Sequence, residues 1–360
     1  MKVIICASGA GGHVFPALIL AKRLRQENSQ VYFVVDKVGI ESRLIENGLV
    51  IEFISATKIS FSSIVDFLKG TINLIKSFFE SLDILKRVKP SVVIGFGGYA
   101  SFPIVSCAWL YRIPIIIHEQ NVIPGKANRI LSFFSKKIAV SFIQTIKYFP
   151  ANKKIIYTGC PVRQELFEVR REDSFKFFNL NPDKFTILVM GGSRGSHKIN
   201  EEFVKAVSLI REKSQFQIIH LTGDKDLDYV RSAFDLIGAV VCCVAFLEKM
   251  GYAYNIADLV ISRAGASSLA EIVSFKIPSI LIPYPFAYNH QMANALSLEK
   301  KGVAIVIEDK NLSKDKLKEI LSNLLDNKGK LKAMKECFNR IAVPDATKNL
   351  VQLVISLVDK

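Results

Sequence analysis

The sequence predicts an α/β protein made of two successive Rossmann-like, doubly wound parallel-sheet domains, and three observations carry that reading. Short, fully apolar runs alternate with helix-period segments from one end of the chain to the other. The alternation halts once, across a polar stretch at 153–185 that holds Gly159, Pro161 and Pro182 and reads as a linker. The chain has 360 residues, and chains tend to divide beyond roughly 250–300 residues.

The first half offers strands at 3–7, 31–35, 50–54, 91–95, 114–118 and 137–140. Helical stretches such as 16–26, 99–111 and 125–134 lie between them. Strands with no polar alternation are buried on both faces, which is how parallel sheet covered by helices is written. The second half restarts with strands at 185–190, 216–221, 239–244, 258–262, 279–283 and 303–307, with helices such as 201–212, 267–275 and 291–300. Helices near 314–326, 331–340 and 346–358 close the chain. Pro344 and Asp345 separate the last two and offer a cap for the final one.

Net charge is +15 and uneven. Residues 1–162 carry 20 basic against 9 acidic side chains, the remainder 28 against 24. Such an excess suits nucleic acid, an anionic membrane surface or a phosphorylated substrate, and charge alone does not choose. Segment 58–89 sets Lys58, Lys69, Lys76, Lys86, Arg87 and Lys89 among many large apolar residues against three acids. That is the profile of an interfacial helix, with an ordinary amphipathic helix pair as the alternative. No nucleic-acid module is visible, so nucleic acid is not expected as a partner. The greasiest stretch, 59–88, is broken by Asp66, Lys69, Lys76, Glu80 and Asp83. It falls short of the roughly 18 uninterrupted apolar residues of a membrane span, which leaves a membrane-touching protein open. Six cysteines without a C-x-x-C pair, and a first strand with no leader pattern ahead of it, fit a reduced cytosolic compartment.

Three glycine loops follow strands and open helices. The first is Ser8-Gly9-Ala10-Gly11-Gly12-His13. Its amides, together with the helix start, suit an anion. Asp36 beyond the second strand adds a likeness to a nicotinamide fingerprint, but Val14 stands where a third small residue belongs. A plain connecting turn is the alternative. The second loop is Gly191-Gly192-Ser193-Arg194-Gly195-Ser196, and the third runs from Arg263-Ala264-Gly265 into Ala266-Ser267-Ser268. With Arg194 and Arg263 supplying forked cations, both suit phosphate or pyrophosphate. Glu271, one turn into the helix, is placed to accept both hydroxyls of a ribose or simply to complement the helix start.

No two of the five histidines share metal-ligand spacing, so no metal site is expected. Asp224-Lys225-Asp226 looks like a metal-holding pair, yet helix capping explains both acids. His13, at a helix start inside a glycine loop, is a candidate proton acceptor or a cap. His118-Glu119-Gln120-Asn121 ends an apolar strand and reads as site lining.

These motifs resemble one family. The loop Gly9 to Ala17, the run Gly95-Phe96-Gly97-Gly98-Tyr99-Ala100-Ser101 and His118-Glu119-Gln120-Asn121-x-x-Pro124-Gly125 are similar to the MurG family. So are Gly159-Cys160-Pro161-Val162-Arg163, Gly191 to Gly195, Arg263 to Ala266, Asn289-His290-Gln291-x-x-Asn294-Ala295 and Pro344-Asp345-Ala346-Thr347. The resemblance implies a GT-B glycosyltransferase fold, two domains facing across a cleft. Residues 1–162 would form an acceptor and membrane-facing domain, with helix 344–360 packing back on it, and 163–343 a UDP-sugar domain. It implies an inverting hexosyltransferase that moves N-acetylglucosamine from UDP-N-acetylglucosamine to undecaprenyl-pyrophosphoryl-N-acetylmuramoyl-pentapeptide. That reaction belongs to cell-wall peptidoglycan synthesis, at the cytoplasmic face of the plasma (inner) membrane, with peripheral attachment through 58–89 and no cofactor. Donor positions would be Ala10, Gly11, Gly12, Asn121, Arg163, Ser193, Leu247, Ala266, Ser267, Ser268, Leu269, Ala270, Glu271 and Gln291. Gly97, Gly98 and Tyr99 would meet the acceptor, and His13 would be the base with Glu119 second. Ala10 and Cys160 depart from the Thr and Asn common in the family. A related synthase acting on diacylglycerol, a nicotinamide oxidoreductase and a non-catalytic nucleotide-sugar sensor are the other readings.

Overall fold

The computed structural model describes residues 1–9, 11–36, 49–57, 63–287, 289–341 and 345–358. Ala10, the start of the basic segment including Lys58, and Pro344 therefore lie outside the described residues. The chain forms two units, Met1–Val162 with Val343–Lys360, and Arg163–Ala342.

The first unit is built on seven parallel strands: β1 Lys2–Cys6, β2 Gln30–Asp36, β3 Val50–Ile54, β4 Val92–Gly95, β5 Ile115–Glu119, β6 Lys137–Val140 and β7 Lys154–Tyr157. They lie in the order β3-β2-β1-β4-β5-β6-β7. Its helices are α1 Gly11–Gln26, α2 Ile64–Val88, α3 Ser101–Leu110, α4 Lys126–Leu131 and, from the chain end, Ala346–Val358. Alternate residues of β1 serve opposite cores. Val3 and Ile5 pack with α1 and with Leu350, Val354 and Leu357 of the terminal helix, while Ile4 and Cys6 pack with Ile84, Ile104 and Val105 from α2 and α3. That double burial is why the strand is apolar throughout.

The second unit repeats the plan. Six parallel strands, β8 Phe185–Met190, β9 Phe216–Leu221, β10 Val241–Val244, β11 Leu259–Ser262, β12 Ser279–Leu281 and β13 Ala304–Val306, run in the order β10-β9-β8-β11-β12-β13. The helices are α5 Arg171–Phe178, α6 His197–Ser208, α7 Leu227–Ile237, α8 Met250–Ile256, α9 Ala266–Ser274, α10 His290–Glu299, α11 Lys314–Asp326 and α12 Lys328–Cys337, which makes the terminal helix α13.

Three expectations need correction. The stretch 153–185 is not a linker throughout: β7 pairs with β6, and α5 follows. β7 is an edge strand of four residues, three of them half-buried and Lys154 exposed, with Lys153 anchored to the carbonyls of Phe133 and Ser135, so its apolar signal is short. Helix α1 begins at Gly11 and carries Pro16 inside it, whereas proline suggested the start. Helix α6 opens at His197, four residues before the expected position.

In both sheets the order reverses beside the first strand of the unit, between β1 and β4 and between β8 and β11. Ligands of such sheets gather beyond the strand ends at that reversal. The β1–α1 and β4–α3 loops meet there in one unit, and the β8–α6 and β11–α9 loops in the other. Gly98 shows how closely the first pair packs. Its φ is +83°, and a Cβ would stand 2.2 Å from the Ser8 carbonyl oxygen, while Ser8 Oγ accepts the Ala100 N–H at 2.8 Å. Gly98→Ala is expected to lose about 3 kcal/mol or more of stability, read as a lowered urea midpoint. An unchanged midpoint would mean that the two loops separate freely.

Candidate active site

Strand β5 delivers His118 and Glu119 to its C-terminal end, both fully buried. The Glu119 carboxylate accepts four donors: Asn121 N (2.9 Å), Asn121 Nδ2 (3.2 Å), Gly125 N (3.1 Å) and Asn128 Nδ2 (2.8 Å). Its two oxygens are engaged in holding the β5–α4 loop, so Glu119 anchors that loop. Asn121, expected to touch the donor, is positioned by it.

His13, in the first turn of α1, places Nδ1 2.8 Å from Gln120 Oε1. A Cβ on Gly97 would lie 3.4 Å from the His13 ring, so the candidate base and the glycine loop expected to hold the acceptor share one corner of the unit. Gly97 is buried and Tyr99 is 44% exposed. Gln120 Nε2 lies 3.0 Å from His118 Nδ1, and His118 Nε2 lies 3.0 Å from the Gly159 carbonyl. Burial pulls the His118 imidazole down to about 4, with the Gly159 bond opposing and the nearby His13 adding to the shift.

In the second unit, Gly191 lets the β8–α6 loop fold on itself, since a Cβ there would stand 2.2 Å from Ser196 N, and Gly195 lets it pack on the loop after β9, since a Cβ there would stand 2.0 Å from the Thr222 carbonyl oxygen. Ser193 is exposed on that loop and Leu247 is buried. Helix α9 begins at Ala266, so Ala266, Ser267, Ser268, Leu269 and Ala270 form its first turn with Glu271 following. Ser267 Oγ is buried without a partner among the described residues. Glu271 Oε1 accepts from Arg163 Nη2 at 3.2 Å and Oε2 accepts the Tyr254 hydroxyl at 2.9 Å. Burial raises the Glu271 carboxyl above its usual value, and the Arg163 charge opposes that. Burial and the Glu271 charge push the Tyr254 phenol well up, so it stays a donor. Gln291 Oε1 takes the N–H groups of Ala264 (3.1 Å) and Tyr284 (2.9 Å), which turns its amide nitrogen away from both.

One cation and one acid differ from expectation. Arg263 is not a free phosphate cation: its guanidinium pairs with Asp309 and donates to Ser196 Oγ (2.8 Å) and the Ile282 carbonyl (3.2 Å), tying three loops. Asp226 does not cap α7 with its side chain but accepts from His197 Nδ1 (3.0 Å) and Asn200 Nδ2 (2.8 Å). Tyr254 and Asp309 were invisible in sequence, since a tyrosine within a helix and an aspartate before one carry no signal of their distant partners.

The buried histidines make stability depend on acid. His220, packed edge-on against Phe203, is held down to about 3 by burial. In the unfolded chain both imidazoles titrate near 6.5. The unfolded state therefore binds protons first as pH falls, and stability is lost from about pH 6.5 down to about 4 for His118 and about 3 for His220. Each histidine is expected to cost its own unit roughly 2–3 kcal/mol at pH 4.5. Urea midpoints that do not fall between pH 7 and 4.5 would contradict this.

Residues 3–140 match the glycosyltransferase family 28 N-terminal domain and residues 186–350 the C-terminal domain of the same family. A protein of Thermodesulfovibrio yellowstonii named UDP-N-acetylglucosamine--N-acetylmuramyl-(pentapeptide) pyrophosphoryl-undecaprenol N-acetylglucosamine transferase is 38% identical, over 99% of both chains. The protein of the same name from Halothermothrix orenii is 37% identical over 98% of both. The crystal structure of Acinetobacter baumannii MurG matches with a TM-score of 0.81 and 30% identity, over 99% of each chain. Two parallel-sheet units with glycine loops at both reversals, and relatives of matching length at this identity, establish that the chain belongs to the MurG family of glycosyltransferases.

Proposed function

We propose that this chain transfers N-acetylglucosamine from UDP-N-acetylglucosamine to the 4-hydroxyl of the N-acetylmuramoyl sugar on an undecaprenyl-pyrophosphoryl-pentapeptide acceptor. What carries the reading is that the likeness to transferases of that name runs over 99% of the chain and takes in the glycine loops of both units. The chemistry is one displacement. His13 takes the hydroxyl proton, the acceptor oxygen bonds to the anomeric carbon with inversion, and the bond to the β-phosphate breaks with its electron pair leaving on UDP. The amides opening α6 and α9, with Ser193, Ser267 and Ser268, stabilise that charge, and the reading needs no metal or other cofactor. Glu271 takes the ribose hydroxyls, exchanging them for its bonds to Tyr254 and Arg163. Gly11, Gly12, Asn121, Leu247 and Gln291 complete the donor's surroundings, and the Gly97-Gly98-Tyr99 loop meets the acceptor diphosphate.

Helix α2 supports peripheral attachment to the cytoplasmic face of the plasma membrane. Its inner face buries small residues, Gly70, Ser77 and Ser81, and its far end is pinned by a two-bond Arg87–Glu52 pair at 2.8 and 2.9 Å. Its outer face leaves Ile64 (80% exposed), Ile72 (62%) and Phe79 (68%) in contact with water, along with exposed Lys69 and Lys76. A second apolar stripe facing outward on a cationic helix suits anionic lipid. No helix among the described residues is long and apolar enough to cross a membrane. Ile72→Glu and Phe79→Glu are each expected to weaken binding to anionic vesicles roughly 10-fold or more, with turnover on a short-chain soluble acceptor retained. Vesicle binding equal to wild type would move the attachment site off α2.

The reaction is tested by incubating the full chain with labelled UDP-N-acetylglucosamine and an analogue of the proposed acceptor. UDP release matched by disaccharide formation supports the reading. Transfer to diacylglycerol instead, or binding of the donor without turnover, contradicts it.

A further inference from the structure

Resting on the reading of His13 as the base, we infer that Gln120, held by His118, is a positioning residue that fixes the His13 proton on Nδ1 and leaves the Nε2 lone pair as the one that reacts. The bonds dictate this from the buried end outward. The Gly159 carbonyl can only accept, so His118 Nε2, 3.0 Å away, carries a proton. Burial keeps His118 neutral at neutral pH, so its single ring proton is spent there and Nδ1 is an acceptor. Gln120 places one amide atom 3.0 Å from that Nδ1 and 3.0 Å from the His118 carbonyl. Two acceptors on the same atom identify it as the NH2 nitrogen. The other amide atom, 2.8 Å from His13 Nδ1, is therefore oxygen, which can only accept. His13 must donate from Nδ1. Turning the amide over would set its oxygen against a lone pair and a carbonyl, all of them buried.

The arrangement has a chemical consequence. A side-chain imidazole left to itself carries its proton mainly on Nε2, which would block the nitrogen that projects beyond the ring. An amide oxygen at Nδ1 selects the other form without placing a counter-charge beside the ring. Among the described residues nothing bonds His13 Nε2, so that atom is available to a hydroxyl. Gln120 and His118 are fully buried, so they act on the reaction through His13.

The test uses the full-length enzyme labelled with 15N-histidine, with His13→Ala assigning the His13 signals. Long-range proton–nitrogen correlation at neutral pH is expected to show His13 with its proton on Nδ1 and His118 with its proton on Nε2. A wild-type His13 protonated on Nε2 overturns the inference, and this spectrum depends on no turnover. Gln120→Met, which removes the acceptor at similar length, is expected to move the His13 proton to Nε2. It should lower kcat on the order of 10- to 100-fold with KM for UDP-N-acetylglucosamine unchanged. A Gln120→Met enzyme that loses kcat while its His13 proton stays on Nδ1 makes the residue structural only and overturns the proposal. Failure of the underlying base reading looks different: His13→Ala would then turn over like wild type while the tautomer spectrum stayed as expected.

Discussion

A His13→Ala enzyme is expected to bind UDP as tightly as wild type and to lose about 10²- to 10⁴-fold in kcat, the usual contribution of a positioned general base. The split between binding and turnover follows from where the parts lie. His13 is in the first turn of α1, in the N-terminal unit, while the carboxylate proposed to hold the nucleotide is on α9 of the other unit. Nothing in the Glu271–Arg163–Tyr254 cluster depends on the imidazole. The other two candidates near the corner made by the two N-terminal glycine loops are committed: Glu119 has four donors on its oxygens, and His118 is bonded to Gly159 and Gln120. Steady-state kinetics beside calorimetric UDP binding reads both halves of the expectation. Retained kcat would remove His13 from proton transfer, and lost UDP binding would place it at the donor.

Glu271→Gln is expected to do the reverse. The amide preserves shape but gives up the charge that two ribose hydroxyls would address, and hydrogen bonds to a charged group contribute about 1.5–3 kcal/mol each. The affinity for UDP should fall roughly 10- to 100-fold or more, with kcat at saturating donor changed far less, because ribose contacts persist from ground state to transition state. A sharper reading comes from 2′,3′-dideoxy-UDP. Wild type should discriminate strongly against it and the variant hardly at all. Equal discrimination by both enzymes would separate Glu271 from the ribose and leave it as an internal partner of Arg163.

The sequence carried most of the fold because the strands are written in one alphabet. Val3-Ile4-Ile5-Cys6 is apolar at every position because both faces of the sheet are covered, and no register choice is needed to see it. It carried the loops too, since glycines at strand ends answer a local demand, a positive φ, as at Gly98 and Gly195. What stayed hidden was whatever depends on a partner far along the chain. The pairing of Arg263 with Asp309 spans 46 residues and that of Arg163 with Glu271 spans 108, and neither cation announces which acid it will meet. Glu119 was read as a possible base because its neighbours in sequence are polar. Only the folded loop shows that those neighbours are its hydrogen-bond donors. The short edge strand β7 was lost for a related reason: with solvent on one side, four residues are too few to be told from a linker.

The most direct measurement is a crystal structure of the full chain with UDP-N-acetylglucosamine bound. The account predicts the ribose hydroxyls at hydrogen-bonding distance, about 2.6–3.2 Å, from Glu271 and the diphosphate against the amides that open α6 or α9. A uridine nucleotide seated instead on the β1–α1 loop, with Glu271 still bonded to Arg163 and Tyr254, would contradict it.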